Sequence, residues 1–144
     1  MRLSEIMQTD VQTISAGQSA EEAWERMRLH RFHHLVVMDG SDVVGVISDR
    51  DLRGAKAARR RDLPVGEVMS ADVISASPDT TVRQAANLMR GRTVGCLPVV
   101  DAGALVGIVT ITDLLELIGR GGIAKQHQPD PTRRMARTPR VPRH

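Results

Sequence analysis

Aromatic side chains are almost missing from this chain: they make up 1% of its 144 residues, with Trp24 and Phe32 as the whole supply and no tyrosine. Platforms that stack the bases of single-stranded nucleic acid need several exposed rings, so that scarcity argues against them. Aliphatic and methionine side chains must fill the interior, and a hydrophobic fraction of 41% is enough for one domain-sized core. Cysteine is scarcer still. Cys96 stands alone, closes no intramolecular disulfide and cannot by itself build a zinc site, which fits a reducing, cytoplasmic setting. Long apolar runs are also lacking. The opening MRLSEIMQTD has no hydrophobic leader core and no stretch approaches the ~18 apolar residues that span a bilayer, so a soluble, unexported protein without a membrane role is expected.

The net charge of +3 suggests a polyanion partner until it is located along the chain. From Arg120 onward there are seven Lys/Arg against one Asp, leaving 13 basic and 16 acidic side chains before it. The body is mildly acidic and only the tail is basic, so nucleic acid is expected to bind weakly, through that tail, if at all. Residues 120–144 carry four prolines and no periodicity, and read as a disordered or loosely attached tail.

What is present is a duplication. Sliding the sequence by about 62 residues superposes Leu3–Leu52 on Val65–Leu114 without a gap, with roughly 15 of 50 positions identical, among them Asp10/Asp72, Gly45/Gly107 and Asp51/Asp113. Each copy predicts a short amphipathic turn (LSEIM, VGEVM), a brief strand (DVQTIS, DVISAS) and a helix announced by an S/T-x-x-E/Q box, Ser19 with Glu22 and Thr81 with Gln84. Two apolar runs joined by DGSD or DAGA then predict a hairpin, and a second helix follows over about Asp49–Ala58 and Thr112–Ile118. The expected architecture is α/β of the α+β kind: two β-α-β-β-α repeats sharing one core, over 1–62 and 63–119. The basic run Lys56–Arg61 between them reads as a solvated helix end.

This order, the 62-residue period and the motifs GVISDRDL and GIVTITDL resemble the CBS (cystathionine-β-synthase) domain family over roughly Leu3–Ile118, and GCLPVVD in the second copy adds to the likeness. The resemblance implies two modules related by pseudo-two-fold symmetry, packed through their sheets. It also implies two clefts for adenosine-containing ligands such as AMP, ADP, ATP or S-adenosylmethionine, no required cofactor, a homodimer, and an unidentified regulated protein.

Ser48 and Asp51, like Thr110 and Asp113, stand three apart at a strand-to-helix junction, where a hydroxyl and a carboxylate can converge on ribose hydroxyls. Ordinary helix capping would use the same residue types. Arg50, with Arg53 and Lys56, offers a positive field for phosphate against the extra carboxylate Asp49, which has Ile111 as its double. By resemblance the base lies near Thr13 and His34, or near Ser75 and Cys96. Val36 stands in the first copy where the second has Pro98, so the second site is expected to bind more tightly. The ligand-contacting set is completed by Thr112. His30, His33 and His34 do not read as a metal site, because adjacent strand residues face opposite sides, and Cys96 reads as a small buried hydrophobe. No nucleophile-base pair or metal set is apparent, so no catalysis is expected. The alternative is a dimeric interaction scaffold with empty clefts, whose tail grips an acidic partner or nucleic acid.

Overall fold

The paired apolar runs form two hairpins with the same register. β2 (His34–Asp39) runs antiparallel to β3 (Asp42–Ser48) and β4 (Cys96–Asp101) to β5 (Ala104–Thr110), so that His34 faces Ser48 as Cys96 faces Thr110. Even the irregularity repeats, with a register shift at Val37/Met38 and again at Val99/Val100. This computed structural model describes residues 1–53 and 59–121, and the remaining elements keep the order of the repeat with differences of type between the copies. They are a 3-10 turn (Leu3–Glu5), β1 (Thr13–Ser15), α1 (Ala20–His30), a 3-10 turn (Asp49–Leu52), α2 (Val65–Val68), α3 (Val82–Arg92) and α4 (Ile111–Gly119). The fold is mixed α+β.

Three departures from the sequence expectation have local causes. The first copy's brief strand, β1, pairs parallel with β2 to give a three-stranded sheet, whereas DVISAS contributes only an isolated bridge, Ala76 to Val99. The first copy uses the N–H groups of Val36 and Ala16 on either side of that ladder, donating to Gln12 and Met38 at 3.0 Å each. Their doubles are Pro98 and Pro78, which have no N–H to give. Second, the helix expected over Asp49–Ala58 is a single 3-10 turn that stops at Leu52, since Arg53 is extended (φ −95°, ψ 155°) and the poor helix former Gly54 follows it in sequence. The rest of that expected helix, 54–58, lies outside the described residues, as do Lys56 and residues 122–144 of the tail. Third, the Ser19/Glu22 box is half made. The Ser19 hydroxyl accepts from the Glu22 N–H at 3.1 Å, but the Glu22 carboxylate is taken by Gln18. Thr81 and Gln84 make both halves, at 3.1 and 2.9 Å.

Packing does not divide the chain at the border between copies. Residues 1–111 form one unit and a second begins at Thr112. Within the first unit the copies exchange segments. The residues after each copy's opening turn bond to the other copy's hairpin: Ser70 pairs with Val46 (3.0 and 2.9 Å) and Gln8 with Ile108 (2.9 Å each way). Gly45 and Gly107 permit that approach, lying against Met69–Ser70 and Met7–Gln8 with no room for a Cβ. One buried cluster therefore joins Ile14, Ala20, Ala23, Met27, Leu35, Val37, Ile47 and Leu52 of the first copy to Val65 and Val68 of the second. Another, of Val36, Cys96 and Ile108, joins the two hairpins.

Candidate functional site

Ser48 ends β3, and the 3-10 turn that follows folds Asp51 back over it. The Asp51 Oδ2 accepts from the Ser48 N–H at 2.9 Å and from the Ser48 hydroxyl at 3.1 Å, which holds the carboxylate on one side of a cleft of about 490 Å³. Cavities of this size suit small-molecule ligands. The facing wall belongs to the other copy: Ser70, Asp72, Val73 and Ile74 follow α2, and Val94, Gly95, Cys96 and Pro98 lead into β4. The Val46–Ser70 bridge pins the first of these segments and the β4–β5 ladder the second.

Charge in the cleft is mixed. Asp49 has its Oδ2 2.9 Å from His33 Nδ1 and its Oδ1 3.9 Å from Arg53, while Asp72 pairs with Arg92 at 3.2 Å. Arg50 has no ion-pair partner among the described residues, and its guanidinium is exposed at the cleft. Burial holds the His34 imidazole below its ordinary 6.5; Asp49 opposes the shift, His33 reinforces it and Asp51 opposes it more weakly. His34 therefore lines the cleft as a neutral ring that can both donate and accept. Burial also pushes the Cys96 thiol up to about 12, leaving it an uncharged apolar surface at neutral pH.

Of the residues expected to meet a ligand, the cleft brings together His34, Ser48, Arg50, Asp51, Cys96 and Pro98. Thr13 is not among them: it lines a separate hollow of about 500 Å³ with Met38, Gly40 and Leu105. Ser75 is exposed and follows the cleft-lining Ile74 without joining the lining. Thr110 ends β5 opposite Cys96, as Ser48 ends β3 opposite His34. Thr112 and Asp113 stand in the first turn of α4, in the unit that begins at Thr112. Because the copies exchange segments, Pro98 joins the cleft of Asp51, and Val36, its double, is buried between the hairpins. The sequence reading, which tied the Pro98 wall to the second site, is corrected on that point. Ser70, Asp72, Val73 and Ile74 were not anticipated, although the identical pairs Asp10/Asp72 and Val11/Val73 marked their segment. The three histidines part company: His30 stacks on Phe32 with 5.8 Å between centroids, His33 meets Asp49, and His34 enters the cleft.

Comparison with known proteins agrees with this architecture. The CBS domain model matches residues 3–58 and again 65–120. The CBS domain-containing protein YhcV of Bacillus subtilis is 35% identical over 114 residues, spanning 78% of this chain and 81% of that protein. Among solved structures, the CBS domain pair of protein MJ0100, in complex with 5′-methylthioadenosine and S-adenosyl-L-methionine, superposes with a TM-score of 0.76 at 30% identity. The match covers 83% of this chain and 97% of that one. The cytosolic domain of the Mg2+ channel MgtE in complex with ATP gives a TM-score of 0.68 at 29% identity, covering 81% of this chain and 48% of the other.

Proposed function

The chain belongs to the CBS domain family, with two CBS domains in tandem, and we propose that it is a regulatory module that binds an adenosine-containing ligand in the Asp51 cleft. One observation carries the reading. A carboxylate, oriented by Ser48 at 2.9 and 3.1 Å, faces a wall of Val73, Ile74, Val94 and Pro98 across about 490 Å³. The carboxylate suits paired ribose hydroxyls and the apolar wall suits a planar base. The complexes of MJ0100 and MgtE with adenosine compounds support the ligand class.

Within that class the charges favour a ligand with little negative charge. Three carboxylates (Asp49, Asp51, Asp72) against two guanidiniums (Arg50, Arg53) line the cleft, which suits S-adenosylmethionine or AMP better than ATP. Arg50 takes the single anionic group. Because the two walls come from different copies, an occupant ties them together, and ligand binding is read out as a shift in their arrangement or in assembly. A homodimer is the assembly we favour, supported by the exposed apolar stripe Ile111, Leu115 and Ile118 on α4. No catalytic step is proposed, and no helix among the described residues is long and apolar enough to cross a membrane.

The test is a thermal-shift and calorimetric panel of AMP, ADP, ATP, NAD and S-adenosylmethionine on the full chain and on Asp51→Ala. At ligand concentrations near 100 times the dissociation constant, binding stabilises by about 2.7 kcal/mol. S-adenosylmethionine or AMP should raise the melting temperature of the parent by more than that of the variant. Silence across the panel would replace this reading with the interaction scaffold.

A further inference from the structure

The two aromatic residues of the chain stand in one place. A hollow of about 360 Å³ on the first copy is floored by Trp24, Met27 and Phe32 and edged by Arg28, Arg31 and His33, with Asp49 as a wall it shares with the cleft. Met27 is buried in the main core and Trp24 and Phe32 pack against its edge, but both rings stay partly exposed to this hollow, and the adenosine site uses neither. At matched places the second copy carries Ala86, Thr93, Val94, Gly95 and Ile111 for Trp24, Arg31, Phe32, His33 and Asp49. It nonetheless forms the same helix and hairpin, and its helix ends on the same left-handed residue (Thr93 φ 54°, Arg31 φ 58°). The fold therefore does not require these five side chains, yet they converge.

The rings are held in place. The Arg61 guanidinium lies 4.3 Å from the Trp24 ring and donates to the Leu52 carbonyl at 2.9 and 3.2 Å, so this end of the basic run packs rather than standing in solvent. Phe32 is stacked on His30. The acid is committed as well, since Asp49 is engaged by His33 at 2.9 Å. The cations are not: Arg28 and Arg31 are exposed, and neither has an ion-pair partner among the described residues. An apolar floor of two fixed rings beneath two uncommitted guanidiniums is complementary to an aromatic anion.

We propose that this hollow is a second ligand site, which takes a small ring compound bearing one carboxylate or sulfonate. The ring lies against Trp24 and Phe32 and the acid group meets Arg28 and Arg31. The site shares only Asp49 with the adenosine cleft and does not depend on that assignment.

The chain has one tryptophan, so all of its emission originates at this hollow, and the variants below decide whether the probe sits here or in the adjoining cleft. The experiment titrates the full chain with 8-anilinonaphthalene-1-sulfonate and follows quenching of Trp24 and energy transfer to the probe. Saturable one-to-one binding is expected. Phe32→Val with Arg31→Thr, the second copy's own residues, should weaken it tenfold or more. Arg28→Gln, at an exposed helix position, should weaken it at least threefold, and Asp51→Ala should leave it unchanged. Unsaturable quenching, equal affinity in the double variant and in Arg28→Gln, or loss of the probe in Asp51→Ala would each overturn the proposal.

Discussion

Gly45→Ala tests the interlock that frames the cleft. A Cβ at Gly45 would sit 2.8 Å from the Ser70 carbonyl oxygen and 2.9 Å from Met69 Cγ, closer than real side chains approach. Met69 can swing aside, but the Ser70 backbone has to withdraw. Withdrawal breaks both bonds between Ser70 and Val46, now 3.0 and 2.9 Å. Each such bond contributes about 1 kcal/mol, and overpacking adds roughly 1–3 kcal/mol where relaxation is incomplete. With part of each cost relieved by movement, a loss of about 2–4 kcal/mol is expected. For a domain of this length that lowers the melting temperature by roughly 5–15 °C. Differential scanning calorimetry without ligand measures it. Gly107→Ala, whose Cβ would lie 3.1 Å from the Gln8 carbonyl oxygen and 3.0 Å from Met7 Cγ, should fall on the milder side. Gly91→Ala is the control: nothing lies within 4 Å of its Cβ and it sits inside α3, so a gain of about 0.5–1 kcal/mol is expected. Gly45→Ala should also weaken the adenosine ligand, because Ser70 and Asp72 form the wall that moves. A change within about 2 °C in Gly45→Ala, or an equal fall in Gly91→Ala, would refute the close approach of the copies.

Removing the carboxylate in Asp51→Ala deletes charge-assisted hydrogen bonds to the ligand worth about 1.5–3 kcal/mol, so calorimetric affinity for S-adenosylmethionine or AMP should drop ten- to a hundredfold. The loss of its bonds to the Ser48 N–H and hydroxyl should also cost about 0.5–2 kcal/mol of stability and so lower the melting temperature without ligand. Burial makes His34 harder to protonate in the folded chain than in the unfolded one, so the unfolded state takes up the proton first as pH falls. Stability should therefore decline as pH drops below about 6.5 and level off once the folded ring has also protonated, and His34→Gln should flatten that decline in melts taken from pH 7.5 to 5. Cys96, pushed up from 9.0 to about 12, holds roughly a thousandth of the ordinary thiolate fraction, so iodoacetamide should label it far more slowly in the native chain than in urea.

Much of this architecture was legible because a repeat states each element twice. The pairs Leu35/Leu97, Val37/Val99 and Gly45/Gly107 mark the hairpins, and the ladders share one register down to the shift after Val37 and Val99. The repeat was misleading where one donor or one residue differs. Pro78 and Pro98 remove the N–H groups that Ala16 and Val36 supply, and a strand becomes a bridge. The site was harder to read for a geometric reason. An offset pairs each residue with its double, and doubles occupy equivalent places rather than the same place. The resemblance sets Asp51 beside Thr13 and His34: His34 does line its cleft and Thr13 does not, and the exchange of segments puts Ser70, Cys96 and Pro98 across from Asp51. The same exchange explains why the copies stay so alike at Gly45, Gly107, Met7 and Met69, since each glycine must accept the other copy's methionine and a change on one side clashes with the other. Positions free of that reciprocity are free to diverge. The cleft around Asp51 takes an acid from each copy, Asp49 and Asp72, and the aromatic floor, at the edge of the shared core, uses side chains of the first copy alone. If both proposed sites bind, two halves built alike would take two different ligands without either losing the fold it shares with its double.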